Sequence, residues 1–130
     1  MTDAVGYDDP LTAPFWDGAR AGELRMPRCR ACGRVVWYPR PICPSCGGWD
    51  LEWVPLSGLG TIHSQVVVRV PVSPGLEPPY VVALVDIDEG PRFLAGIDAP
   101  VGSTRIGDRV RVVWRARPDL PPLAMFTLDT

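Results

Sequence analysis

Four cysteines in two close pairs constrain this chain more than any other feature of it. Cys29 and Cys32 form the first pair and Cys43 and Cys46 the second, each with two intervening residues, and Gly33 and Gly47 follow directly. That spacing lets both sulfurs of a pair turn toward one point. A glycine just after them takes positive φ, so backbone N–H groups can face the thiolates. Two such knuckles supply four sulfurs in a tetrahedral array at about 2.3 Å from a zinc ion. The spacer between the pairs is ten residues, shorter than the roughly 15–20 of the general pattern. It still accommodates a short hairpin, expected over residues 35–37. Two local disulfides or four free thiols are the alternatives, and iron is a metal that ligand type alone does not separate from zinc. Zinc is the expected cofactor. Four cysteine ligands close the coordination sphere, whereas a catalytic zinc keeps a position for water or substrate. The metal is therefore expected to be structural, stabilising a segment too small to fold alone.

Around this segment the chain reads as mainly β. Among 130 residues are 16 prolines, each of which fixes φ and removes a backbone donor, so long helices are not expected. One short helix is predicted near the start, with Thr12 as cap, Pro14 in the first turn, Phe15, Trp16 and Ala19 at helical spacing, and Gly22 as the stop. Leu24 and Met26 then alternate with Glu23 and Arg25 as a short strand, and Trp49, Leu51 and Trp53 alternate after the cysteines as another. Five β segments follow, over residues 60–70, 80–88, 92–97, 109–117 and 123–128, separated by stretches rich in Pro, Gly, Asp and Ser. Five short strands suit a small barrel, which removes exposed sheet edges. The expected organisation is an arm and helix over residues 1–27, a zinc ribbon over 28–57 and a barrel over 58–130.

Charge narrows the function classes. The formal charge is −2, and four thiolates with one dication would take it to −4. Non-specific nucleic-acid binding rests on a basic surface that releases counterions, so it is not favoured; a single-stranded nucleic-acid-binding module remains the alternative reading, and electron transfer through iron a third. All 13 basic residues are arginine, which leaves no side-chain amine for Schiff-base chemistry. His63 is the only histidine and is expected to be structural or on the surface. The first twenty residues carry acids where a signal peptide is basic, and no apolar run approaches a membrane span. A cytoplasmic location is expected, where paired cysteines favour metal over disulfide.

Two further groups are candidates for binding. Arg109, Arg111, Arg115 and Arg117 recur with period two, so they are expected on one strand face, with Val110, Val112, Trp114 and Ala116 on the other. Such a row suits phosphates or an acidic partner, or else a solvated outer face. Phe15, Trp16, Trp37 and Tyr38 gather around helix and ribbon, either to pack that small module or to stay exposed as a partner-docking surface.

A wider set of residues carries a resemblance. Phe15-Trp16, Leu24, Cys29-x-x-Cys32-Gly33, Tyr38-Pro39-Arg40-Pro41 and Cys43-Pro44-x-Cys46-Gly47 come first. Gly58-x-Gly60-Thr61, the run over residues 79–85 and Ile106-Gly107-Asp108-x-Val110 follow in the same order. Together they resemble the bacterial and archaeal zinc-ribbon/OB-fold proteins that accompany acyl-CoA enzymes. The resemblance implies a leading helix and rubredoxin-like ribbon joined to a five-stranded OB barrel. It also implies an accessory subunit of a thiolase-like enzyme or a hot-dog-fold hydratase. In steroid side-chain breakdown, similar domains pair with a thiolase-fold aldolase that cleaves a β-hydroxyacyl-CoA. The family has no agreed catalytic residues, so only the four metal ligands carry over.

Overall fold

The computed structural model describes residues 9–72 and 76–129. A helix α1 (Ala13–Ala21) begins after Thr12 and ends at Gly22. The Gly22 and Glu23 amides turn back onto the Ala19 and Gly18 carbonyls at 3.1 and 2.8 Å, which satisfies the last turn. Strands β1 (Arg25–Cys29) and β2 (Leu51–Pro55) form a two-stranded antiparallel sheet that flanks the cysteine segment. Then come β3 (Leu59–Val68), β4 (Tyr80–Ile87), β5 (Arg92–Ile97), β6 (Arg109–Arg117) and β7 (Leu120–Leu128). These close into a barrel in the order β3-β4-β5-β7-β6, antiparallel throughout except where β5 meets β7. This is the OB-fold arrangement.

One core serves both halves. Alternation along β4 buries Val81, Ala83, Val85 and Ile87, and opposite them lie Ile62, Phe93, Ala95, Ile97, Val110 and Phe126. Phe15 of α1 and Leu24 and Met26 at the start of the ribbon belong to the same cluster. The helix and first ribbon strand thus cap one end of the barrel. Beyond that shared core the ribbon has a small apolar cluster of Cys29, Val36 and Cys43, with Leu51 packed against them, too little apolar surface to hold it without the metal.

Three local expectations are corrected. The hairpin over residues 35–37 is reduced to one isolated bridge, Arg28 to Val35, because Pro39, Pro41 and Pro44 deny the returning chain its ladder donors. Strand β7 starts at Leu120, three residues before position 123. Pro121 and Pro122 are admitted because a bulge between Arg115 and Arg117 breaks the ladder beside them. The same bulge interrupts the period-two face of β6, and Ala116 is exposed, not turned inward.

Gly60 marks the tightest strand contact of the barrel wall. A Cβ there would lie 2.6 Å from Val85 Cγ1 and 2.7 Å from the Asp86 carbonyl oxygen. Gly60→Ala is expected to destabilise the chain by about 1–3 kcal/mol through forced displacement of backbone. A urea titration checks this, and an unchanged midpoint would show that the wall yields freely.

Candidate metal centre

The four cysteine sulfurs converge. Cys29 ends β1, and its amide bonds the Arg34 carbonyl at 2.9 Å, while the Cys43 amide bonds the Gly48 carbonyl at 2.8 Å. Each knuckle closes on its glycine: the Gly33 N–H donates to the Cys29 carbonyl at 2.7 Å, and Gly47 to Cys43 at 2.8 Å. Both glycines have positive φ, 81° and 76°, as the turn after each cysteine pair requires. All four Sγ atoms lie within 4.8 Å of one another. The closest approaches run between knuckles, Cys29 to Cys46 at 3.6 Å and Cys32 to Cys43 at 3.7 Å.

Those separations decide what the cluster is for. A tetrahedron with metal–sulfur bonds of about 2.3 Å has sulfur–sulfur edges of about 3.8 Å. A disulfide requires about 2.05 Å, so the cysteines are free thiols placed for a metal. The residues fit zinc. Cys29 and Cys43 are buried and Cys32 and Cys46 exposed; four thiolates would fill the coordination sphere and leave no ligand position for water or substrate. The zinc is structural.

Charge explains why the cation is needed. The Cys46 N–H, above all, lowers the Cys43 thiol to about 7. Cys46 receives a hydrogen bond from the Gly48 amide that favours its thiolate. Its contact with Cys29 and its loss of water outweigh that bond and raise it to about 11. Without a cation Cys46 therefore keeps its proton at neutral pH, and zinc binding would release it. Acid reverses the exchange. Asp86 and Asp88, held below the usual carboxylate range first by hydrogen bonds from Arg92 and Arg109, act in the same direction. Their contribution is present above the unfolded carboxylate pKa and is lost as pH falls through their lowered values. Zinc retention and thermal stability are expected to fall together on acidification. A chromophoric zinc indicator read alongside a melting curve tests this, and zinc retained through acid unfolding would contradict it.

The other candidates lie elsewhere. The arginines of β6 do not form a free row. Arg109 holds Asp88 in a two-pronged pair at 2.7 and 2.8 Å and touches Thr61 at 3.1 Å. Arg115 reaches Asp98 at 3.4 Å, and Arg111 lies 4.0 Å from Asp129. Past the bulge, Arg117 donates to the Pro121 carbonyl and stacks over Trp16 at 5.9 Å. Phe15 is buried against Trp16, Trp37 and Phe93 at centroid distances of 4.9, 5.0 and 6.0 Å. Trp37 also packs on Phe93 at 5.2 Å. These rings fasten helix and ribbon to the barrel, and Tyr38 alone of the four is exposed. His63 Nδ1 lies 3.3 Å from Asp86, whose other oxygen receives the Arg92 N–H at 2.7 Å, on the outer surface of the barrel. Reasoning from the sequence missed the outward apolar positions of β3, β4 and β5, although their unbroken apolar runs were in view.

A closed four-thiolate ribbon fused to an OB barrel defines a class of small metal-stabilised zinc-ribbon/OB-fold proteins. The chain belongs to the ChsH2 family. Residues 16–52 match the model of the ChsH2 rubredoxin-like zinc ribbon domain, and residues 53–115 match that of its C-terminal OB-fold domain. The fold is similar to a chain of the solved "Ltp2-ChsH2(DUF35) aldolase", with a TM-score of 0.84 and 31% identity over 92% of this chain and 95% of that one. The benzoylsuccinyl-CoA thiolase subunit BbsA of Thauera aromatica is 35% identical over 82% of this chain and 72% of its own length. A probable enoyl-CoA hydratase alpha subunit of Thermomonospora curvata is 39% identical over 64% of this chain. The 3-oxo-4,17-pregnadiene-20-carboxyl-CoA hydratase alpha subunit of Mycobacterium tuberculosis is 38% identical over 83%. The matches span only 26% and 35% of those two alpha subunits.

Proposed function

We propose that this chain is a non-catalytic accessory subunit that binds and supports a thiolase-like acyl-CoA enzyme, a thiolase or thiolase-fold aldolase, in lipid or steroid side-chain catabolism. The observation that carries this reading is likeness over nearly the whole chain to a chain of the solved "Ltp2-ChsH2(DUF35) aldolase". The chemistry on the page agrees with it. The metal has no open position, there is no lysine, and the single histidine is tied to Asp86 on an open surface. Such a chain contributes shape and surface, not a reacting group. Arg111 and Arg115, whose acidic partners lie at 4.0 and 3.4 Å, are the members of the arginine row best placed to exchange them for a phosphate or an acidic side chain. Four thiolate ligands suit a reducing cytoplasm, and no helix among the described residues is long and apolar enough to cross a membrane.

Co-expression with the cognate thiolase-like subunit followed by native mass spectrometry tests the proposal. A heteromeric complex with one zinc per copy of this chain is expected. A chain that stays apart from that subunit at micromolar concentration would refute it.

A further inference from the structure

The outer wall of the barrel is not uniform. On β6, outward positions are filled by arginines, the usual answer of a strand that faces water. On β3, β4 and β5 arginine holds only the outward position at Arg92, where β5 begins. Val81, Ala83 and Val85 point into the core, so Tyr80, Val82 and Leu84 between them point out. The strand register sets Val66 opposite Val82, and Leu84 opposite Leu94. Val66 is 62% exposed and Leu94 63%. This aliphatic face runs at one end into a cleft of about 510 Å³, where Tyr80, Leu76, Val101 and Met125 share the lining with Glu77, Asp98 and Arg115. At the other end it stops at Asp86, which is held by both Arg92 and His63.

Charge selects the occupant. Arg92, at one border of the face, is committed to Asp86, and in the cleft two carboxylates, Glu77 and Asp98, outnumber the one guanidinium, Arg115, which Asp98 already meets at 3.4 Å. Tyr80 is the one Phe, Tyr or Trp on these outward positions. Nucleic acid requires free cations and stacking rings, and a phosphate-bearing ligand requires the first of these. A centre without charge inside a polar, charged rim is the make-up of a protein–protein interface core. We infer that the outward face of β3–β4–β5, together with its cleft, is where this chain docks on an aliphatic surface of its thiolase-like partner, the cleft receiving an apolar side chain. This inference rests on the accessory-subunit reading.

The test uses the complex with the co-expressed thiolase-like subunit. Hydrogen exchange should show residues 64–68, 80–84 and 92–96 protected in the complex relative to the free chain. Val66→Asp and Leu94→Asp should each weaken the complex at least about tenfold (about 1.4 kcal/mol), with zinc content and melting temperature kept. Arg20→Ala on α1, remote from the face, should bind as the parent does. If the complex forms but protection falls on the ribbon and both aspartate variants bind normally, the docking face is wrong and the accessory reading stands. If no complex forms, both fall.

Discussion

Cys43→Ser is expected to abolish stoichiometric zinc binding and to unfold the ribbon, the largest effect of any single substitution in this chain. Cys43 is buried, and its sulfur faces that of Cys32 across the two knuckles, so its loss opens the coordination sphere at the join between them. Structural zinc contributes on the order of 10 kcal/mol or more to a ribbon of this kind, and a whole domain is commonly stable by only about 5–15 kcal/mol. The barrel will feel the change. Met26 reaches its core from the strand that ends in Cys29, and Leu24 from just before it, so unfolding the ribbon strips the cap from one end. Zinc analysis together with hydrogen exchange over residues 25–29 and 51–55 reads the outcome. Full zinc content and retained protection would mean that three thiolates suffice.

Phe15→Ala is expected to cost about 3–5 kcal/mol, the range for deleting a buried aromatic ring. Phe15 is 5% exposed and stands where helix, ribbon and barrel meet, against Trp16, Trp37 and Phe93. Its removal leaves a cavity that no single element can collapse into. Chemical denaturation followed by tryptophan fluorescence measures the cost. A loss below about 1 kcal/mol would assign the ring to docking and not to packing.

The metal ligands were legible because thiolate coordination dictates spacing locally. Two residues between sulfurs and a glycine after them form a constraint that no distant contact overrides. The barrel was legible for a related reason, since turn residues bound each apolar run and period-two alternation marked strands such as β4. What escaped depended on contacts between elements. Pro121 and Pro122 read as a separator, and only the bulge at Arg115–Arg117 makes them admissible in β7. The arginines of β6 read as one row, for binding or for solvation, but each meets a group brought from elsewhere in the chain, such as Asp88 from the end of β4 or Asp98 from the end of β5. The run over residues 80–85 is apolar at every position. That pattern signals burial on both sides, yet a barrel supplies only an inner side, and the surplus on the outer side points to a partner.

The most direct test of the central claim is the rate at which the thiolase-like subunit turns over its CoA ester, measured with and without this zinc-loaded chain. An accessory subunit predicts no turnover by this chain alone and a partner that is inactive, or unstable, until the chain is added. Turnover by the chain alone, or a partner whose rate and stability ignore it, would contradict that role.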